Sequence, residues 1–155
     1  MARRLRNTQT AIAHWRQWRD GGLRKADSLA LPGRLLKAAL WHELHELLTG
    51  FAYPLFKIRA GRLPELILDY EAALDRWAGP EFPGAASKWR CLDALRDWRN
   101  FVVDYRLALT HAWIDPAVLA WNRADHGPVV EAARLNLEAQ PSTLRLFLNH
   151  RPPLS

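Results

Sequence analysis

Apolar residues recur at three- and four-residue spacing through nearly every segment of this chain, and no segment alternates apolar with polar residues over the length of a strand. A repeat near 3.6 selects helices, because side chains three and four positions apart share one helix face, whereas a half-buried strand needs a repeat of two. The sequence therefore predicts an all-α protein, a single-domain irregular helical bundle of about six or seven helices joined by short loops. A chain of 155 residues is long enough to bury such a core without disulfides or metals.

Prolines, glycines and capping residues set the expected helix limits. Thr10 caps a first helix carrying Ile12, Trp15 and Trp18, and Gly21-Gly22 ends it. Pro32 opens a second, with Leu36, Leu40, Leu44, Leu47 and Leu48 as its core stripe and Gly50 at its end. Residues 51–62 read as an aromatic connector, since Pro54 opposes a regular interior helix. Pro64 opens a third helix with Leu66, Ile67, Tyr70, Ala73, Leu74 and Trp77 inward, closed by Gly79-Pro80 and the loop GPEFPGAA. Ser87 caps the longest helix, about residues 88–113, with Leu92, Leu95, Trp98, Val102, Tyr105 and Leu109 on its stripe. Asp115-Pro116 starts a short helix to about Asn122, Pro128 another as far as Gln140-Pro141, and Ser142 a last one before the tail RPPLS.

Charge is the feature that bears most on function. Residues 1–37 hold nine Lys and Arg against Asp20 and Asp27, a net of +7, while residues 38–155 hold thirteen against fourteen, a net of −1. A neutral body with a basic N-terminal module, 1–37, is the asymmetry expected of a segment that meets a polyanion. Eighteen of the 22 basic residues are Arg, the side chain that forks onto phosphate and stacks on bases. Within the module Trp15 and Trp18 are flanked by His14, Arg16 and Arg19. Indoles interleaved with guanidinium groups suit an unpaired strand, bases stacking while the cations meet phosphates, although the same indoles could anchor the first helix to the bundle. The expected nucleic-acid-binding residues are Arg3, Arg4, Arg6, Trp15, Arg16, Trp18, Arg19, Arg24 and Lys25.

Three other clusters could carry chemistry. His42 and His45 with Glu43 and Glu46 share a helical segment, and His42, His45 and Glu46 would be the ligands if other helices completed a metal site; the alternative is a solvated face beside the leucine stripe. The spacing is not that of H-E-x-x-H metallopeptidases. Asn122, Arg123, Asp125 and His126 crowd one loop, where a solvated turn competes with phosphate or proton chemistry. Arg106 and His111 lie in RLALTH with four residues between them. This spacing resembles the Arg-x4–6-His motif of the HEPN ribonuclease family, small helical bundles, and the resemblance implies Arg106 and His111 as catalytic residues of metal-independent RNA cleavage across a dimer interface. Leu107 departs from the family, in which a polar residue usually follows the Arg.

No cofactor motif, phosphate loop, metal finger or paired serine or cysteine nucleophile is legible. Cys91 is the single cysteine, and neither a secretory signal nor a spanning segment is seen, so the expectation is a cytoplasmic protein that does not enter a membrane. The leading expectation is a non-enzymatic helical subunit that binds nucleic acid, RNA or single-stranded DNA, within a larger nucleoprotein assembly and contacts other protein subunits. It is similar in class to the small helical subunits of CRISPR effector complexes. Two alternatives remain: a HEPN-like ribonuclease acting as a toxin or defence factor, and a protein-interaction module with an acidic partner.

Overall fold

The computed structural model describes residues 2–78, 85–111 and 115–139, apart from the side chains of residues 85–87 and 89. The described residues form ten helices and no strand. The all-α class is as the periodicity predicts, but the helices are more numerous and shorter than six or seven. Residue contacts divide the chain into two compact units, Met1–Leu47 and Leu48–Ser155.

In the first unit α1 (Ala2–Arg19) packs on α2 (Lys25–Leu29) and α3 (Leu31–Lys37). Its buried residues are Ala11 and Trp15, one turn apart, and those of α3 are Leu31, Pro32 and Leu35. The expected cap at Thr10 is corrected, because α1 begins at Ala2. Arg, Leu and Gln favour the helix, and the Thr8 hydroxyl donates to the Arg4 carbonyl a turn earlier (3.0 Å) instead of capping. Gly21, at φ +78°, ends α1 as expected. The Gly21 and Gly22 amides donate to the Trp18 and Gln17 carbonyls at 3.1 and 2.9 Å, which pairs two carbonyls the helix leaves open.

The expected continuous second helix is divided into α3 and α4 (Trp41–Thr49). Ala39 adopts φ +55°, and the Ala39 and Leu40 amides return to the Leu36 and Leu35 carbonyls at 3.1 and 3.0 Å. That is the same closing motif, built on alanine where glycine is usual. Of the stripe, Leu44, Leu47 and Leu48 are buried, and Leu36 and Leu40 are half-buried.

In the second unit, α5 (Ala52–Arg59) packs on α6 (Leu63–Trp77), α6 on α7 (Ala85–Asp104), and α10 (Pro128–Glu138) on both α7 and α9 (Pro116–Trp121); α8 (Arg106–His111) follows α7 after Tyr105. The connector is corrected to a helix. Pro54 sits in its first turn, where the missing N–H has no intrahelical partner to lose. On α6 the buried stripe is Leu63, Leu66, Tyr70, Ala73 and Trp77, and the Tyr70 hydroxyl donates to the Leu48 carbonyl at 2.6 Å. Trp98 of α7 is fully buried and meets Phe51 edge-to-face at 4.9 Å and Phe101 at 6.1 Å between centroids. Asp115 caps α9 as expected, accepting the Ala117 amide at 2.8 Å, and Pro128 opens α10. Among the described residues no helix is long and apolar enough to cross a membrane. The expected cap at Ser87 is corrected, because α7 begins at Ala85 and takes Ala85 and Ala86 from the expected loop, which leaves Ser87 inside the helix. The expected stop at Gly79-Pro80, residues 81–84 of its loop, and the chain from Gln140 onward lie outside the described residues.

Candidate nucleic-acid interface

The helix α1 has eighteen residues, five of them Arg and none acidic. Residues 2–7 are exposed on every side, as are Arg16 and Arg19. Among the described residues Arg3, Arg4, Arg6, Arg16 and Lys25 form no ion pair with an acid. Arg3, Arg4 and Arg6 also stand at the positive end of the helix dipole, where a cation is disfavoured, so the positive potential there is reinforced rather than offset. Arg3 and Arg19 are separated by about 24 Å along the axis at 1.5 Å per residue.

Arg3, Asn7, Thr10 and His14 recur at intervals of four and three, so by the helical step of about 100° they lie within about 60° of one another around α1. Across from them α3 carries Arg34 and Lys37, one turn apart. Asn7, Thr10, Arg34 and Lys37 line a groove of 310 Å³. Arg34 is anchored at its edge. Its Nη1 meets His14 Nδ1, and the same atom donates to Asp27 Oδ1 at 3.3 Å. Asp27 also accepts from Arg24 Nε and Nη2 at 3.2 and 3.1 Å, and the hydrogen bond from Arg24 holds its carboxyl below the usual carboxylate range. The side chains of Lys37, Asn7 and Thr10 have no hydrogen-bond or ion-pair partner among the described residues. Sequence reading counted Arg34 and Lys37 as charge only and missed the groove; the signal for it was the polar stripe at 3, 7, 10 and 14.

The expected site residues are not equivalent. Arg3, Arg4, Arg6, Arg16, Arg19 and Lys25 are exposed, whereas Arg24, also exposed, is engaged by Asp27. Trp15 is only 7% exposed and is part of the buried face of α1, with the Arg19 guanidinium 5.8 Å from its ring centroid. A base has no room on Trp15 while α1 stays packed. Trp18 is half-buried, and by the helical step it falls about 40° from His14, beside the groove stripe.

His42 Nε2 lies 3.9 Å from Glu46 Oε2 at an exposed position, and burial pushes the His45 imidazole below its ordinary value. No three His, Cys, Asp or Glu side chains among the described residues are grouped to hold a metal. Arg106 and His111 are both exposed on α8, and five helical steps set them about 140° apart around the axis, so the two do not converge within one chain. In the polar loop Arg123 turns inward. It meets Asp97 and Asp104 at 3.8 and 3.7 Å, and its guanidinium lies 5.9 Å from the Phe101 ring centroid. Asp125 and His126 are exposed, and Cys91 is half-buried, its thiol pushed up by burial.

No family model matches the sequence, and no curated protein and no solved structure matches it either.

Proposed function

We propose that the first unit binds nucleic acid, RNA or single-stranded DNA, through its phosphates, and that the protein is a non-enzymatic subunit of a nucleoprotein assembly. The observation that carries this reading is α1 itself, an acid-free helix whose exposed Arg3, Arg4, Arg6 and Arg16 have no acidic partner among the described residues. Cations left without internal partners at a helix N-terminus lower their energy when a polyanion arrives. Each phosphate they neutralise releases condensed counterions, so binding of this kind weakens steeply with salt.

The test is the salt dependence of binding to a labelled single-stranded oligonucleotide. Replacing Arg3, Arg4 and Arg6 with Ala removes three exposed cations and no buried contact, and should flatten the plot of log K against log salt by about two units, at about 0.7 per phosphate contact on a single strand. An unchanged slope overturns this placement of the interface. Polyglutamate competing as well as the oligonucleotide at equal charge would favour an acidic protein partner instead. RNA from the same incubations should be recovered intact, and cutting abolished by His111→Ala would favour the ribonuclease reading.

A further inference from the structure

We propose that the groove between α1 and α3 seats one ribose–phosphate unit of single-stranded RNA, with the phosphate on Arg34 and Lys37 and the 2′-hydroxyl on Asn7 and Thr10. This rests on the reading of the first unit as a phosphate-binding module and names what that module selects.

The two sides of the groove differ in chemistry. The α3 side supplies two cations a turn apart, and the α1 side supplies an amide and a hydroxyl, each able to donate and to accept. Lys37 has no acid against it among the described residues. Arg34 is held by His14 and Asp27 through Nη1 alone, which fixes the plane of its fork and leaves the Nε and Nη2 donors to be aimed at a phosphate. A bare anion only accepts, so it could take hydrogen bonds from Asn7 and Thr10 but would leave the Asn7 amide oxygen and the Thr10 hydroxyl oxygen without a donor. In a nucleotide the group close to the phosphate that both donates and accepts is the 2′-hydroxyl, which distinguishes RNA from DNA. At 310 Å³ the groove is at the small end of ligand pockets, of a size for one sugar–phosphate unit and not for a stack of bases or a duplex.

The experiment compares the full chain's affinity for oligouridylate, for the deoxyuridylate oligomer of equal length, and for 2′-O-methyl oligouridylate. The wild type should bind oligouridylate about three- to tenfold more tightly than the deoxy oligomer, the worth of about one net hydrogen bond, with the same salt slope for both. The 2′-O-methyl oligomer, which keeps the sugar but loses the donor, should bind like the deoxy one. Asn7→Ala/Thr10→Ala replaces exposed helix residues with the best helix former, and should bring RNA affinity down to the DNA level while leaving DNA affinity and both slopes unchanged. Lys37→Ala should weaken binding to all three equally. Equal wild-type affinity for RNA and DNA with a steep salt slope would overturn the groove's selectivity and leave the phosphate reading standing; no salt-dependent binding to any of them would overturn both.

Discussion

Asp97 of α7 accepts the backbone N–H of Val129, in the first turn of α10, at 3.0 Å across a sequence separation of 32 residues. The residue at the helix's own capping position is Gly127, which has no side chain to offer, so the cap for α10 comes from another helix. The same Asp97 stands against Arg123, so one carboxylate joins the start of α10, the preceding loop and the long helix. Replacing Asp97 with Ala should cost about 1–2 kcal/mol of stability, and Asp97→Asn, which keeps an acceptor, appreciably less. Gly127 has φ +129° and ψ 169°, a region open almost only to glycine, and an added Cβ would lie 3.4 Å from Asp97 Oδ2. Gly127→Ala should therefore cost about 1–3 kcal/mol. Denaturant unfolding of the three variants checks the order.

Ala39 pays for its place at the end of α3 with a left-handed backbone at φ +55°, a conformation that costs an L-residue about 1–2 kcal/mol and glycine almost nothing. Ala39→Gly should stabilise the protein by about 0.5–1 kcal/mol, the strain relieved exceeding the extra entropy the unfolded chain gains. A lowered melting temperature in this variant would contradict the strain.

Trp15 and Trp18 should separate in a paired measurement of melting and binding. Trp15→Ala removes a buried indole and should cost about 3–5 kcal/mol of stability. Trp18→Ala, at a half-buried position, should cost less stability, and if bases stack there it should lose about 1–3 kcal/mol of affinity for single strands. Comparable, large stability losses in both variants would remove the case for stacking.

Arg24 and Lys25 are neighbours in sequence with different commitments. Because Arg24 is hydrogen-bonded to Asp27 and Lys25 has no acidic partner among the described residues, Lys25→Ala should reduce the salt slope of single-strand binding by about 0.7, and Arg24→Ala by less. Titrations at four salt concentrations per variant would resolve the difference.

In the second unit Lys57, only 3% exposed, is paired with Asp69. Burial outweighs the attraction of Lys57 and pushes the Asp69 carboxyl up from 3.8 to about 6. The native state thus holds a proton there more tightly than the unfolded chain does. The stability this contributes is fully present below about pH 4 and is lost as pH rises through about 6. Asp69→Asn cannot titrate, so the stability difference should shift in the variant's favour across that window. Chemical denaturation at pH 4, 5, 6 and 7 reads it, and parallel profiles for the two proteins would assign the titration to another group.

What the sequence determined by itself is whatever depends on interactions within about four residues or on composition. The helical class follows from apolar spacing, the starts of α6, α9 and α10 from Pro64, Asp115-Pro116 and Pro128, and the end of α1 from Gly21. The concentration of cations in the first 37 residues and the five arginines of α1 are likewise composition. The tertiary structure decided what local preference leaves balanced or opposes. Nothing in Leu-Lys-Ala-Ala-Leu marks the end of α3, since alanine is the best helix former, and the chain turns there because the closing motif and the packing of the leucines outweigh one strained residue. Pro54 reads as a breaker until its first-turn position shows that no hydrogen bond is lost. The cap on α10 comes from Asp97, on a helix too far along the chain for any window to include. The groove has the same origin. Its α1 stripe was legible as spacing, but Arg34 and Lys37 come to face Asn7 and Thr10 only when α3 folds back on α1, because the burial of Trp15, Leu31 and Leu35 is non-local and fixes which polar faces meet.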